Sequence, residues 1–109
     1  MATFIVDGKE KVLNYLWNGI DCSADFIGNT AHGMDIDDEG RFIASKEEFE
    51  WWKATISDYE AMDKVVEKYV AEFGDEAVQR VIEEASGGRD MEDIPAHVIL
   101  ELTREFGEI

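Results

Sequence analysis

Asp35-Ile36-Asp37-Asp38-Glu39-Gly40 places carboxylates at alternate positions ahead of a glycine. An EF-hand loop opens with the same spacing, because a calcium ion needs hard oxygen ligands from alternate residues. The pattern fails at the loop's twelfth position, where Lys46 stands in place of a bidentate Glu. The residues before it also favour a strand over a helix. The expectation is therefore an acidic hairpin turn, with its carboxylates exposed at a loop tip where a partner can reach them, and no metal; a divalent-cation site at Asp35 to Glu39 is the weaker alternative.

Other catalytic chemistry has little to work with. His32 and His97 are the only histidines and Cys22 the only thiol, and none has the spacing of a metal site or an activated nucleophile. A Cys22–His32 or Cys22–His97 pair, remote in sequence, is the open alternative to Cys22 as a small buried apolar residue. There is no Walker loop and no dinucleotide-binding glycine pattern. Neither an enzyme nor a cofactor is expected.

The charge carries more information. The chain has 26 Asp and Glu against 10 Lys and Arg, a net charge of −16 over 109 residues, yet 45% of it is apolar. That apolar fraction is enough to offset the entropy of ordering, so the acids coat a folded domain. Phosphate backbones and anionic membranes repel such a coat, which disfavours direct nucleic-acid and membrane partners, so neither is expected, and favours a basic protein. The bland alternative is solubility alone. A single cysteine, an N-terminus without a basic-then-apolar signal and no apolar run near ~20 residues predict a soluble cytoplasmic protein.

Position separates ordinary acids from unusual ones. Residues 1–33 hold four acids and two bases, residues 34–73 twelve and five, and residues 74–109 ten and three. Glu50, Lys53, Glu60, Lys64, Glu67 and Lys68 interleave as a solvated helix face. Carboxylates in a first helical turn need no explanation beyond the helix dipole. Apart from Glu83-Glu84, what remains is Asp35, Asp37, Asp38 and Glu39 at the turn, Asp90, Glu92 and Asp93 in a loop, and Glu101 and Glu105 in a row that continues to Glu108. These are the candidate partner-binding residues.

The elements that must position them follow from turn and periodicity signals. Thr3–Val6, the Asp7-Gly8 dipeptide and the apolar positions through Trp17 predict a hairpin, with a helix over residues 9–17 as the competing reading. Asn18-Gly19 closes that segment. Asp21 or Ser23 caps a short helix that Gly28-Asn29 ends. Met34–Asp37 and Arg41–Ala44 form a second hairpin. Ser45 and Glu48 form a capping box ahead of a helix over residues 46–73, with Ser57-Asp58 its weakest point. Asp75 caps the next helix, Gly87-Gly88 stops it, and the last begins at Ile94-Pro95. Strands first and helices afterwards predict a single α+β domain, a small antiparallel sheet packed on a long central helix and two shorter C-terminal ones.

Trp51 and Trp52 point about 100° apart on a helix. Trp52 shares a stripe with Ile56, Tyr59 and Val66; Trp51 lies nearer Met62, Val65 and Tyr69. This wide apolar arc fits a central helix packed on two sides. Its alternative is an interface at Trp51, either a homodimer seam or a partner groove.

In size and charge the chain resembles the DNA-mimic proteins of phages and mobile elements, the antirestriction and anti-CRISPR inhibitors. GRFIASKEEFEWW followed by DYEAMDK also looks like small proteins of bacterial mobile elements. The resemblance implies a non-enzymatic inhibitor in the host cytoplasm. Its carboxylates replace phosphates opposite the Lys and Arg of a basic nucleic-acid-binding defence protein. The alternative function is an interaction or homodimerisation module built on the apolar face around Trp51.

Overall fold

Asp7 and Gly8 take left-handed backbone angles, with φ of 51° and 76°. Two such residues in succession reverse a chain so that its strands keep their native twist. β1 (Ala2–Val6) and β2 (Lys9–Leu13) therefore pair antiparallel, with Val6 opposite Lys9 across the turn. The computed structural model describes residues 1–17, 19–30 and 35–109. Residues 9–13 are strand, so the helical alternative there is excluded. The strand ends sooner than the sequence suggests. Leu16–Trp17 (β3) belongs to a separate two-stranded hairpin with Ile20–Asp21 (β4). Asn18, His32 and Met34 lie outside the described residues.

α1 spans Ser23–Thr30. Asp21 starts it as expected, its Oδ1 accepting from the Ser23 amide at 3.1 Å and from the Ser23 hydroxyl at 2.6 Å. Gly28 does not stop it; the helix continues to Thr30. β5 (Asp35–Ile36) and β6 (Phe42–Ala44) form the second hairpin.

The main sheet runs β2-β1-β6-β5 and is mixed, because β1 and β6 are parallel. The sequence, read as hairpins, predicts an all-antiparallel sheet, and the β1–β6 pairing corrects it. A parallel pair needs a crossover, and the segment carrying α1 lies between the two strands in sequence. The pairing sets Phe4 beside Phe42, and both are buried. Their rings lie 5.4 Å apart, and Phe49 meets Phe4 edge-on at 5.3 Å. The α+β class holds.

α2 spans Lys46–Phe73, 28 residues without interruption. Its capping box is reciprocal: the Glu48 amide donates to Ser45 Oγ and the Ser45 amide to Glu48 Oε1, each at 3.1 Å. Ser57-Asp58 does not break the helix. The chain nonetheless divides there into two compact units, Met1–Ile56 and Ser57–Ile109.

The second unit has its own core. Met62, Val66 and Tyr69 of α2 pack with Val78, Val81 and Ala85 of α3 (Asp75–Ser86) and with Val98 and Leu102 of α4 (Ile94–Phe106). Gly74, with φ of 91°, occupies the N-cap of α3; Asp75, expected as the cap, is the first helical residue. Met62 and Tyr69 are buried in this core, whereas Trp51 in the first unit is 39% exposed. The second apolar edge of α2 is thus covered along only part of its length.

Candidate functional site: carboxylates on the helical unit

α3 buries a stripe at Val78, Val81 and Ala85, three and four residues apart. Glu84 flanks that stripe on the side nearer α4. Glu101 and Glu105 lie one turn apart on α4, either side of the buried Leu102 in sequence. The three carboxylates and Arg89 line one cleft of about 260 Å³, with Val81 and Ala85 among its apolar walls. Glu101 is half-buried and accepts from Arg104 Nη1 at 3.0 Å. Among the described residues, Glu84 and Glu105 have no ion-pair partner.

The loop between the helices is held from both ends. Arg89 Nε donates to the Ala85 carbonyl at 2.8 Å, and its Nη1 lies 3.2 Å from His97 Nε2. An arginine offers only donors, so Nε2 of His97 is the acceptor in this contact. The Tyr59 hydroxyl donates to the Met91 carbonyl at 3.0 Å. Burial, then the nearby Asp63 charge, pushes the Tyr59 hydroxyl above its ordinary pKa. Asp90 accepts the Asp93 amide at 2.9 Å through its backbone carbonyl. The side chains of Asp90, Glu92 and Asp93 are exposed. Asp93 sits at the N-cap of α4 without a side-chain capping bond.

The hairpin turn is less available than the sequence suggests. Asp37 Oδ1 accepts the backbone amides of Arg41 and Glu39 at 2.8 and 3.0 Å, and Oδ2 accepts Arg41 Nε at 2.7 Å. The Arg41 amide, more than the guanidinium, holds the Asp37 carboxyl below the usual carboxylate range. Asp37 is therefore committed to the turn. Glu39 lies 3.5 Å from Arg41 Nη1. Asp35, Asp38 and Glu39 are exposed. This turn belongs to the first unit, whereas the loop and the cleft belong to the second.

Cys22 is half-buried, and its Sγ donates to the Tyr15 carbonyl at 3.5 Å. Among the described residues no group of three or more His, Cys, Asp or Glu is arranged to hold a metal. No helix among them is long and apolar enough to cross a membrane.

The chain matches no protein-family model, no curated protein and no solved structure. The chemistry of its own surface is what remains to read. That surface is uneven: residues 57–109 carry fifteen acids against five bases, and residues 1–56 carry eleven against five. Glu84 was absent from the candidates drawn from sequence. The signal that finds it is its position beside Val81 and Ala85 on the buried stripe, which turns its carboxylate toward the neighbouring helix.

Proposed function

We propose that the chain is a non-enzymatic acidic inhibitor that mimics nucleic acid and occupies the basic groove of a nucleic-acid-binding defence protein. The observation that carries this reading is the cleft where Glu84, Glu101 and Glu105, from two helices, share one opening. Packed helices fix the backbone positions that carry these carboxylates, and each can accept from a guanidinium or ammonium of the target. Asp90, Glu92 and Asp93 extend the negative surface along the adjoining loop. In the first unit Asp35, Asp38 and Glu39 contribute a separate acidic tip.

The test is displacement of labelled duplex DNA from basic nuclease and DNA-binding subunits. The full chain displaces DNA at low salt and fails at about 0.5 M, where the screening length falls to a few ångströms. Glu84→Gln/Glu101→Gln/Glu105→Gln, or Asp90, Glu92 and Asp93 together replaced by Lys, abolishes displacement while helicity is unchanged. Displacement that survives these changes and high salt overturns the reading.

Trp51 supports a second reading. Its ring meets the buried Trp52 edge-on at 4.9 Å yet stays 39% exposed, which suits an apolar contact with a partner or a second copy. Light scattering decides between the two: a dimer through Trp51 persists at high salt, whereas an electrostatic decoy leaves the chain monomeric.

A further inference from the structure

The corner between α2 and α3 holds a groove of about 710 Å³, lined by Phe73, Asp75, Glu76, Arg80 and Glu83 among others. Phe73, the last residue of α2, is 41% exposed, whereas Phe49, Trp52 and Tyr69 of the same helix are buried. Its ring is held in place. Phe106 stacks on it at 4.5 Å with an 18° interplanar angle, and Tyr69 lies nearly parallel at 6.1 Å. Tyr69 is itself pinned by its hydroxyl, which donates to the Gly107 carbonyl at 2.7 Å. Phe73 is thus a pre-oriented aromatic surface beside a groove. Among the described residues, Asp75, Glu76, Glu83 and Arg80 form no ion pairs.

Building on the decoy reading, we propose that this groove is an arginine anchor. A guanidinium from a basic partner segment stacks against Phe73 and donates to the carboxylates of Asp75, Glu76 and Glu83. Three acids against one base give the groove the sign of a cation site, even though the N-terminus of α3 alone would favour an anion. A planar, weakly hydrated guanidinium can stack and donate at once, whereas an ammonium is a compact point charge on a flexible stem. A nucleic acid fits the aromatic surface but not the surrounding charge.

The experiment compares oligo-arginine and oligo-lysine peptides of equal length, titrated into the full chain at low salt by calorimetry. The expected result is about two- to fivefold tighter binding of oligo-arginine, the range of an exposed cation–π contact. Phe73→Leu keeps an apolar side chain and removes the π face. It brings the arginine affinity down to the lysine value and leaves the lysine value unchanged. Glu76→Gln/Glu83→Gln weakens both peptides. A second readout needs no variant: the ring protons of Phe73 shift with oligo-arginine and not with oligo-lysine. Equal affinities in the unmodified chain, or a preference that persists in Phe73→Leu, overturn the anchor. DNA displacement that survives Phe73→Leu in full ends the anchor and leaves the decoy reading intact. Arginine-selective binding at Phe73 without any DNA displacement ends the decoy reading and keeps the anchor.

Discussion

Asp37 and Arg41 close the β5–β6 turn on each other: the Arg41 amide and guanidinium both donate to the Asp37 carboxylate, at 2.8 and 2.7 Å. A carboxylate engaged in this way has little left for a partner. It does make the turn sensitive to acid. Its folded pKa lies below the unfolded value of about 3.9, so its contribution to stability is complete above that pH. The contribution is lost as pH falls through the folded pKa. Asp37→Asn should lower the thermal midpoint at pH 7, and the gap from the unmodified chain should narrow once the pH falls below the unfolded value and close as it passes through the lower folded one. A gap of constant size down to pH 2 would mean that the ionised carboxylate is not the source. Partner binding should change less in Asp37→Asn than in Asp38→Asn/Glu39→Gln.

The reciprocal bonds between Ser45 and Glu48 satisfy two amides at the start of α2. Ser45→Ala should cost about 1 kcal/mol in urea unfolding. Because the pair acts as a unit, Ser45→Ala/Glu48→Ala should cost less than the sum of the single changes. Strict additivity would show that the two bonds act independently.

Trp51 and Trp52 are adjacent and chemically identical, yet Trp52 is only 4% exposed. It packs edge-on against Phe26 at 6.2 Å. Trp52→Ala should destabilise by about 3–5 kcal/mol, the usual cost of deleting a buried aromatic. Trp51→Ala should cost about 1 kcal/mol, chiefly its contact with Trp52. Equal losses in chemical denaturation would contradict the burial difference.

The Tyr69 hydroxyl joins α2 to the end of α4, bonding to Gly107 and lying 3.4 Å from Thr103 Oγ1. Tyr69→Phe preserves the aromatic packing and should cost about 1 kcal/mol. Amide exchange should quicken in the last turn of α4 and not in β1. Unchanged exchange there would show that the hydroxyl does not hold the terminus.

Much of the local structure is legible in the chain because its causes lie within a few residues. Asp7-Gly8 specifies a tight hairpin turn, Ser45 and Glu48 mark the start of α2, and Gly74, Gly87-Gly88 and Pro95 punctuate the helices that follow. The end of α1 is misread, because Gly28 only weakens a helix and does not by itself stop one. The acids show a similar division. Glu101 and Glu105 stand out as like charges one turn apart. Nothing local indicates that Glu84, on another helix, lines the same cleft. Nor does spacing alone distinguish the engaged Asp37 from the exposed Asp38 beside it.

By itself, then, the sequence determined the α+β class, the Asp7-Gly8 turn, the extents of the three longer helices, and the surplus of acids. Tertiary structure alone decided that β1 and β6 pair in parallel, that Glu84 joins Glu101 and Glu105, and that Phe73 is stacked yet open. The physical reason is range. Caps, turns and helical periodicity act over three to seven residues. Strand partners and shared clefts depend on which distant apolar faces bury one another, and that is settled only when the core closes.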